Sequence, residues 1–361
     1  MPLDGKDGEA WYPLFVLEHR NGELFIKAAV GEHASRLAGR RVAKANGMPF
    51  AEFIRPILDR CSGELLAHRM SRFEGKQGFY WWLTRVLDGK ELALEVVEQD
   101  GNTSAVTLAP IRAKEFFALA KEAGNRQSSR DLSYSFLDDG MAILRLPSFN
   151  ETDTAKKTID KLFDELRKRG SRRLIIDVRG NPGGSSNMVE YLLEKLTSKK
   201  VRVYSRIQIK LSKAVLERFE GWKKHAELSG LRASVEGNYV QGRKGEAFDG
   251  ELFVLVDSGV FSAASDFAGV VKDFGLGTLV GYETGGLQTC FGDVVKQTLP
   301  HSRIELGVSY KRFEGGIPQP GDDEHGILPD VVADARALAS YANEEDPVLA
   351  LAVALARGAR D

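Results

Sequence analysis

The chain contains little cysteine and no excess of charge of either sign. Its two cysteines, Cys61 and Cys290, lie far apart among 361 residues and form no spacing typical of metal ligands or of a redox pair. The histidines show no HExxH spacing, so we predict no metal and no cofactor. Fifty basic residues against 51 acidic ones leave a formal net charge of −1. This balance provides no basic field for nucleic acid, and we expect no such partner.

Long hydrophobic runs are also missing. No apolar stretch approaches the ~20 residues that a membrane-spanning helix needs, so we predict no membrane span. The opening residues Met1–Asp7 lack a charged segment followed by an apolar one, and a signal peptide is therefore not visible. We expect either a cytoplasmic protein or the mature form of an exported bacterial protein. The sequence does not indicate an oligomeric state.

What the chain does contain falls into two regions, and its 361 residues make two domains the default. The first third is rich in strand-like runs that are separated by the turn signals Asn21–Gly22, Asn46–Gly47 and Asp100–Gly101. The last of these predicts a β-hairpin. Apolar residues at helical spacing from Phe50 to Ile57 predict a helix. A polar stretch over residues 124–131 is the best linker candidate.

Beyond this stretch, strands and amphipathic helices alternate. We predict a strand at Met141–Leu146, a helix around Ile159–Leu166 that Gly170 ends, a strand at Leu174–Val178 and a helix around Val189–Leu196. Such alternation is typical of an α/β domain with a mainly parallel, buried sheet.

The strongest functional signal is a strand that runs into a helix at a serine. The apolar strand Glu251–Val256 ends in a short turn, and apolar residues recur at helical spacing from Ala263 onwards. Ser262 therefore lies at a helix N-terminus, where unpaired N–H groups and the helix dipole stabilise a negative oxygen. This position suits a nucleophile with an oxyanion hole. It also suits a plain N-cap, which is the commoner role for serine there.

A second signal is the glycine-rich turn Arg179–Gly184, which follows the predicted strand Leu174–Val178. The turn lacks the Gly-Lys-Ser/Thr ending of a P-loop and is not a GxGxxG fingerprint. Glycines after a buried strand let the backbone approach a ligand closely and direct its N–H groups outwards. They suit a tight connection between a strand and a helix equally well.

Four segments in fixed order carry a resemblance to a known family: LIIDVRGNPGG, VLVDSGVFSAASDFA, LVGYETGG and GILPDVV. Together they resemble the S41 peptidases, which are the tail-specific or C-terminal-processing proteases and their relatives. Each segment alone is a weak signal, whereas the order of all four is specific. The resemblance covers residues 140–334. It implies an α/β catalytic domain of crotonase/ClpP-like ββα units and a peptide or protein substrate.

The resemblance also implies site residues. In that family the serine that opens the helix is the nucleophile, and Ser262 occupies its position. The oxyanion donors correspond to the N–H of Ala263 and to one N–H of the glycine turn, from Gly183 or Gly184. Asp273 matches an acidic position of the tail-specific branch, although it suits a solvated helix end equally well.

The N-terminal region carries a shorter resemblance. Leu37–Gly47 looks like a segment of a PDZ domain, a module that precedes the catalytic domain in this family and binds peptide termini by strand addition. We therefore predict N-terminal strands over residues 1–30, a small β-rich PDZ-like domain over 31–122, an S41-type catalytic domain over 132–345 and a C-terminal helix over 346–361.

The resemblance breaks at the general base. Tail-specific proteases carry a lysine in a turn where this chain has Leu287, and a leucine carries no proton. Other branches, similar to the tricorn proteases, use a histidine with an acidic partner and place an acidic residue just before the Gly-x-x-Pro-Asp motif. Here Glu324 and His325 occupy that stretch, so His325 is a possible base and Glu324 its possible orienting group. The same residues suit a polar, solvent-exposed loop.

Further base candidates are His225, Lys210 and Lys213, on a helix-like insertion after the glycine turn. The prediction is a serine-type peptidase that hydrolyses peptide bonds through an acyl-enzyme on Ser262. The alternative, which Leu287 favours, is a catalytically impaired or non-catalytic protein that binds peptide or lipid on the same scaffold. An esterase of the α/β-hydrolase type fits less well, because no Gly-x-Ser-x-Gly elbow surrounds Ser262.

Overall fold

The computed structural model describes residues 11–12, 15–20, 23–29, 34–72, 90–98, 101–116, 118 and 131–358. The chain divides into two compact units, residues 1–130 and 131–361. Three features expected from the sequence fall outside the described residues: the turn Asn21–Gly22, the turn residue Asp100 and the linker over 124–130.

The first unit is built on a β-sheet. Its strands are β1 (Trp11–Tyr12), β2 (Phe15–Arg20), β3 (Glu23–Ala29), β4 (Arg41–Ala45), β5 (Met48–Pro49), β6 (Leu92–Val97), β7 (Thr103–Leu108) and β8 (Ile111–Arg112), and its helices are α1 (Ala34–Leu37), α2 (Phe50–Leu58) and α3 (Leu66–Ser71). The sheet has the order β2-β3-β4-β6-β7, with β5 paired to β4, and β1 pairs with β8.

Local sequence signals explain most of this unit. The turn Asn46–Gly47 connects β4 to β5, and both of its residues have the positive φ angles that such a two-residue turn needs. Strands β6 and β7 form the predicted antiparallel hairpin. Helix α2 buries Phe50, Ile54 and Ile57, which are spaced for one helical face. These side chains join the apolar core that lies beneath the sheet.

The second unit alternates strands and helices. Its strands are β9 (Ser133–Phe136), β10 (Ala142–Arg145), β11 (Arg173–Asp177), β12 (Tyr204–Lys210), β13 (Arg232–Glu236), β14 (Glu251–Val256), β15 (Thr278–Gly281), β16 (Cys290–Thr298), β17 (Glu305–Gly315) and β18 (Val331–Val332). Its helices are α4 (Asp153–Arg169), α5 (Ser186–Leu196), α6 (Lys213–Arg218), α7 (Ala263–Asp273) and α8 (Pro347–Ala356), with 3₁₀ turns at Glu220–Trp222, Ala226–Leu228 and Ala339–Tyr341.

The main sheet has the order β18-β15-β14-β11-β10-β9. All neighbours are parallel except β9, which runs antiparallel to β10. Apolar side chains cover both faces: the larger core includes residues of α4, α5 and α7, and the smaller one includes residues of α8. The predicted mixed α/β domain with a buried, mainly parallel sheet is therefore confirmed.

Helix α4 shows how the sequence sets these elements. The Thr152 hydroxyl accepts the N–H of Ala155 at the start of the helix. Gly170 ends the helix in the left-handed conformation, with φ of 62°, as its position predicts.

A second sheet, antiparallel, has the order β13-β12-β17-β16. The insertion between β12 and β13 carries α6 and two of the 3₁₀ turns, and a small apolar cluster that includes Leu211 and Leu216 holds it. The predicted helix-like insertion is therefore present. Among the described helices, none is both long and apolar enough to cross a membrane.

Two neighbouring strands of the main sheet position the candidate site. Strands β11 and β14 are adjacent and parallel, with Asp177 paired to Leu255. Their carboxyl ends therefore lie at the same edge of the sheet, where open α/β sheets bind ligands. The glycine turn follows β11 there, and the turn that leads to Ser262 follows β14.

Candidate active site

Ser262 is an exposed residue in a strained turn. It directly precedes α7 with φ of 55° and ψ of −131°, a conformation that side-chain-bearing residues rarely adopt. Its hydroxyl accepts no N–H of the first helical turn, so Ser262 occupies the N-cap position without making the cap bond. The residues of α7 that follow, Ala263 to Val271, are buried. The turn thus presents one polar side chain to solvent above a buried helix.

The glycine turn lies directly against Ser262. A β-carbon added at Gly183 would meet the Phe261 carbonyl oxygen at 2.7 Å, Ser262 Cβ at 2.8 Å and the Ala263 nitrogen at 3.0 Å. Gly183 also has φ of 101°, so both space and conformation require glycine. The close approach brings backbone N–H groups of two segments to the serine.

The N–H groups near Ser262 differ in whether they already have acceptors. The Gly183 N–H donates to Asn181 Oδ1 over 2.8 Å. Within the described part of the chain, no acceptor takes the N–H of Gly184 or the N–H of Ala263. Of the two glycines expected from the sequence, Gly184 thus retains a free donor, as does Ala263.

Two polar residues tie the glycine turn to the serine turn. Asp257 Oδ1 accepts the N–H of Gly180 over 2.8 Å and the N–H of Gly259 over 2.9 Å. The Asn181 carbonyl accepts the N–H of Phe261 over 3.0 Å. Burial raises the pKa of Asp257 although both backbone bonds act against this rise. The two turns are therefore fixed relative to each other by groups that lie beneath the surface.

Arg179 ties the same turn to the C-terminal helix. Its guanidinium donates from Nε to Asp177 Oδ1 over 2.9 Å and from Nη1 to Asp346 Oδ1 over 2.9 Å. Asp346 also accepts the N–H of Leu349 at the start of α8. Burial alone would raise the pKa of Asp346, yet the Arg179 guanidinium holds it below its ordinary value.

A buried chain of hydroxyl and carboxyl groups lies beneath α7. Tyr204 donates its hydroxyl proton to Asp266 Oδ2 over 2.6 Å, and the same hydroxyl lies 3.0 Å from Ser186 Oγ. Burial raises the pKa of Asp266 to about 7, against the effect of the Tyr204 hydrogen bond. Because Ser186 starts α5 and Asp266 lies in the first turn of α7, this chain connects the two helices that follow the glycine turn and Ser262.

The turn expected to carry a lysine also packs against Ser262. A β-carbon added at Gly286 would lie 3.0 Å from the Ser262 nitrogen. Leu287 is buried and forms a β-bridge with Gly326. Glu283 Oε1 accepts the N–H of Gly326 over 2.8 Å, so this turn is joined to the segment that contains His325.

His325 and Glu324 are both exposed. His325 Nδ1 lies 2.8 Å from the carbonyl oxygen of Gly326. Within the described residues, no hydrogen bond or ion pair joins Glu324 to His325 or either of them to Ser262. His325 therefore directly precedes Gly326, the bridge partner of Leu287, without making a hydrogen bond to Ser262.

The other expected base candidates lie on or beside the insertion. Lys213 pairs with Glu217, and His225 Nδ1 lies 3.2 Å from Glu227 Oε1. Lys210 is exposed at the end of β12. None of these residues makes a hydrogen bond with Ser262 in the part of the chain that is described.

Three further polar residues that the sequence brought into question are Asp273, Ser265 and Cys290. Asp273 accepts hydrogen bonds from the Gln288 side chain and from the N–H of Ile317. Ser265 is buried and donates to the Val260 carbonyl oxygen over 3.1 Å. Cys290 is half-buried and is not in a disulfide bond. Among the described residues, no group of three or more His, Cys, Asp or Glu side chains is placed to hold a metal ion.

Sequence reasoning did not single out Asn181, Asp257, Tyr204 or Asp266. Asn181 and Asp257 lie within the motifs that carry the family resemblance. Their position next to the glycines and the serine was the signal that could have marked them as residues that hold the two turns. Tyr204 gives no local signal, because its partner Asp266 is 62 residues away.

An exposed serine in a strained turn between a strand and a helix, next to free backbone N–H groups, is an arrangement typical of serine hydrolases. The chain belongs to peptidase family S41, whose family model matches residues 140–333, more than half of its length. Family membership supports a peptidase function. No curated protein matches the chain in sequence.

Two solved structures of one protease share the fold at low sequence identity, and a third structure is similar over less of its geometry. Mature CPAF complexed with lactacystin is 15% identical, with a TM-score of 0.61 over 97% of this chain and 84% of that one. A serine-to-alanine mutant of CPAF is 13% identical, with a TM-score of 0.59 over 90% of this chain and 78% of that one. The photosystem II D1 C-terminal processing protease is 16% identical, with a TM-score of 0.42 over 92% and 75%.

Proposed function

We propose that this protein is a serine-type peptidase that cleaves peptide bonds of a peptide or protein substrate through an acyl-enzyme on Ser262. The observation that carries the proposal is the exposed Ser262 hydroxyl in a strained backbone conformation at the start of α7. Strain at a polar residue above a buried helix points to function rather than to stability. Membership of a peptidase family supports the same activity.

In this proposal the free N–H groups of Ala263 and Gly184 form the oxyanion hole. The Gly183 carbonyl oxygen accepts the N–H of Phe149 over 2.9 Å. Because a trans peptide unit is planar and its C=O and N–H point in opposite directions, the Gly184 N–H points away from Phe149. Ala263 starts α7, so its N–H also adds the positive end of the helix dipole.

His325 is the proton acceptor that this proposal assigns. A carbonyl oxygen only accepts, so the contact with Gly326 places the proton of His325 on Nδ1 and leaves a lone pair on Nε2. Nε2 takes the Ser262 proton while Oγ forms its bond to the substrate carbonyl carbon, and later gives that proton to the leaving amine. Glu324 makes no hydrogen bond with the ring, so the Gly326 carbonyl orients it.

A fluorophosphonate probe followed by peptide mass spectrometry tests the nucleophile. We expect the label on Ser262, and Ser262→Ala should lose the label and at least about 10⁴-fold in turnover of a peptide library. Ser265→Ala is the matched control, because Ser265 lies one helical turn further and is buried; it should keep the label. An unlabelled wild type together with unchanged turnover by Ser262→Ala would refute the proposal.

A second candidate function is peptide or lipid binding without catalysis on the same scaffold. Two observations favour it: Leu287 is buried in the position of the expected lysine, and no described side chain hydrogen-bonds to the Ser262 hydroxyl. This candidate predicts equal ligand affinity for the wild type and for Ser262→Ala, with no product from any peptide. If the wild type forms product and Ser262→Ala does not, the protein is a peptidase and the binding-only function is excluded.

We also propose that the finer fold assignments hold. A PDZ-like module over residues 31–122 is supported by the sheet that contains β4 and by the turn Asn46–Gly47. A crotonase/ClpP-like catalytic domain over 132–345 is supported by the parallel sheet with β11 and β14 at its centre. Limited proteolysis, with cleavage between residues 122 and 132, tests this division.

A further inference from the structure

Asn181 is a buried amide at the centre of the glycine turn. Its side chain is fully inaccessible to solvent. Nδ2 donates to the Leu146 carbonyl oxygen over 2.8 Å, and Oδ1 accepts the N–H of Gly183 over 2.8 Å. The side-chain amide therefore links the loop after β10 to the glycine turn, and the backbone carbonyl of Asn181 accepts the N–H of Phe261 in the serine turn.

These bonds determine the orientation of the peptide units around Ser262. The N–H of Gly183 is directed inwards to Asn181, so it is not available to a ligand. The Gly183 carbonyl is directed to the N–H of Phe149, and the planar peptide unit directs the N–H of Gly184 the other way. The Asn181 side chain thus occupies the N–H of Gly183 and helps to fix the direction of the N–H of Gly184.

We propose that Asn181 is a positioning residue that sequesters the Gly183 N–H and thereby selects the Gly184 N–H as the oxyanion donor of this turn. The inference rests on the proposed function, since an oxyanion forms only if Ser262 attacks a carbonyl. Asn181 acts through the backbone and touches no substrate. A carboxamide is suited to this position because it provides a donor and an acceptor without charge. A buried donor or acceptor that lacks a hydrogen bond destabilises the fold, and both groups of Asn181 are bonded.

The wild-type protein provides the first test, by NMR with glycine ¹⁵N labelling and a peptide boronate. A boronate bonded to Ser262 Oγ carries a negative oxygen where the oxyanion would lie. We expect slow hydrogen exchange at the Gly183 amide, and a boronate-induced shift at Gly184 that is larger than the shift at Gly183. A larger shift at Gly183, or rapid exchange there without boronate, overturns the proposal.

Substitution of Asn181 provides the second test. Asn181→Leu has a similar shape and loses both side-chain bonds, so the donor is misplaced; we expect kcat to fall about 100-fold with KM within about threefold. Asn181→Asp keeps the acceptor for Gly183, and its kcat should lie between those of the wild type and Asn181→Leu. Affinity for the boronate should fall in the same order as kcat.

Thr197→Val is the control. It removes a buried side-chain acceptor for a backbone N–H, that of Lys199, at the other end of α5, and should leave kcat unchanged. A folded Asn181→Leu with kcat like that of Thr197→Val, or with only KM raised, overturns the proposal. If Asn181→Leu does not fold, the wild-type NMR result decides. Failure of the proposed function is distinct, because the wild type would then bind no boronate at Ser262 and show no fluorophosphonate label.

Discussion

The two sides of the candidate site hold their assigned residues, Ser262 and His325, in different ways. The nucleophile side, residues 177–184 and 257–266, is joined by the Asp257 carboxylate, which accepts N–H groups of both turns, and by the Asn181 backbone carbonyl, which accepts the N–H of Phe261. The base side, residues 281–287 and 321–327, presents an exposed His325 and a buried Leu287. Its two segments are joined by Glu283 and the buried Thr284, whose side chains accept the N–H groups of Gly326 and Ile327, whereas the His325 ring itself is held by its contact with the Gly326 carbonyl oxygen.

Because of this difference, we expect substitutions on the two sides to affect folding stability and turnover to different degrees. On the nucleophile side the polar residues near Ser262 include the buried Asn181 and Asp266, so a substitution at either disturbs packing and hydrogen bonding along with the site. On the base side the assigned proton acceptor His325 is exposed, and exposed side chains contribute little to folding. We therefore expect substitutions of the buried nucleophile-side residues to change the free energy of unfolding, and substitution of His325 to change turnover alone.

Apart from loss of the nucleophile itself, the largest expected effect is on the base side. His325→Ala removes the proposed proton acceptor, so kcat should fall roughly 10²–10⁴-fold. Thermal stability should stay unchanged, since the ring is exposed. His301→Ala is the control, because His301 is exposed in the loop between β16 and β17. Steady-state kinetics on the same peptide checks both. Equal kcat for the two variants would exclude His325 as the base.

A buried acid on the nucleophile side gives the next effect, through pH. The pKa of Asp266 is about 7 in the folded state because of burial, and about 3.9 in an unfolded chain. Between these values the folded state holds a proton that the unfolded state releases, so the contribution of Asp266 to stability falls as pH rises, and its loss is complete above about 7. Asp266→Asn has no proton to lose and retains an acceptor for Tyr204.

We therefore expect Asp266→Asn to gain roughly 3 kcal/mol relative to the wild type between pH 5 and pH 8. Urea unfolding of both proteins at the two pH values measures this difference, and the comparison cancels the other titrating groups. A stability difference that is the same at both pH values would show that Asp266 is ionised in the folded protein throughout.

A smaller effect is expected where the nucleophile side meets the C-terminal helix. Asp346→Asn keeps an acceptor for the N–H of Leu349 but removes the charge that pairs with Arg179, so it should destabilise by roughly 2 kcal/mol at pH 7. The pKa of Asp346 lies below its ordinary value, so this contribution is present above an unfolded pKa of about 3.9 and is lost as pH falls through the folded pKa.

Asp249→Asn is the control for that ion pair. Asp249 and Arg172 pair with side chains that are 79% and 66% exposed, and exposed pairs contribute about 0–1 kcal/mol. Urea unfolding at pH 7 and pH 3 compares the two variants. A loss for Asp346→Asn no larger than that for Asp249→Asn, or one that is undiminished at pH 3, would contradict the assigned role of Arg179.

The comparison of the two sides also shows what the sequence can predict. The alternating elements, Ser262 at its helix start and the glycine turn follow from patterns within about ten residues, because periodicity and turn chemistry are local. The pairs Asp257 with Gly180 and Tyr204 with Asp266 join residues that are 77 and 62 positions apart, and no local pattern encodes them. The sequence offers His325 as a possible proton acceptor only through the family resemblance, because no local pattern relates it to a serine so far away along the chain.

The smallest expected effect concerns the strain at Ser262 itself. A φ of 55° with ψ of −131° costs a residue with a β-carbon about 1–3 kcal/mol and costs glycine little. Both Ser262→Gly and Ser262→Ala should be inactive, but the glycine variant should be the more stable one. Glycine is also preferred to alanine at any N-cap, so a reference position is needed.

Ser185 provides that reference, because it precedes α5 as an N-cap without a side-chain cap bond and with an ordinary φ of −88°. The stability difference between glycine and alanine variants at residue 262 should exceed the same difference at residue 185 by about 1 kcal/mol, measured by urea unfolding. Equal differences would mean that the Ser262 turn stores no strain. An excess at residue 262 would mean that the folded chain loses stability by holding this serine in its strained conformation. At the exposed His325 we expect no such loss.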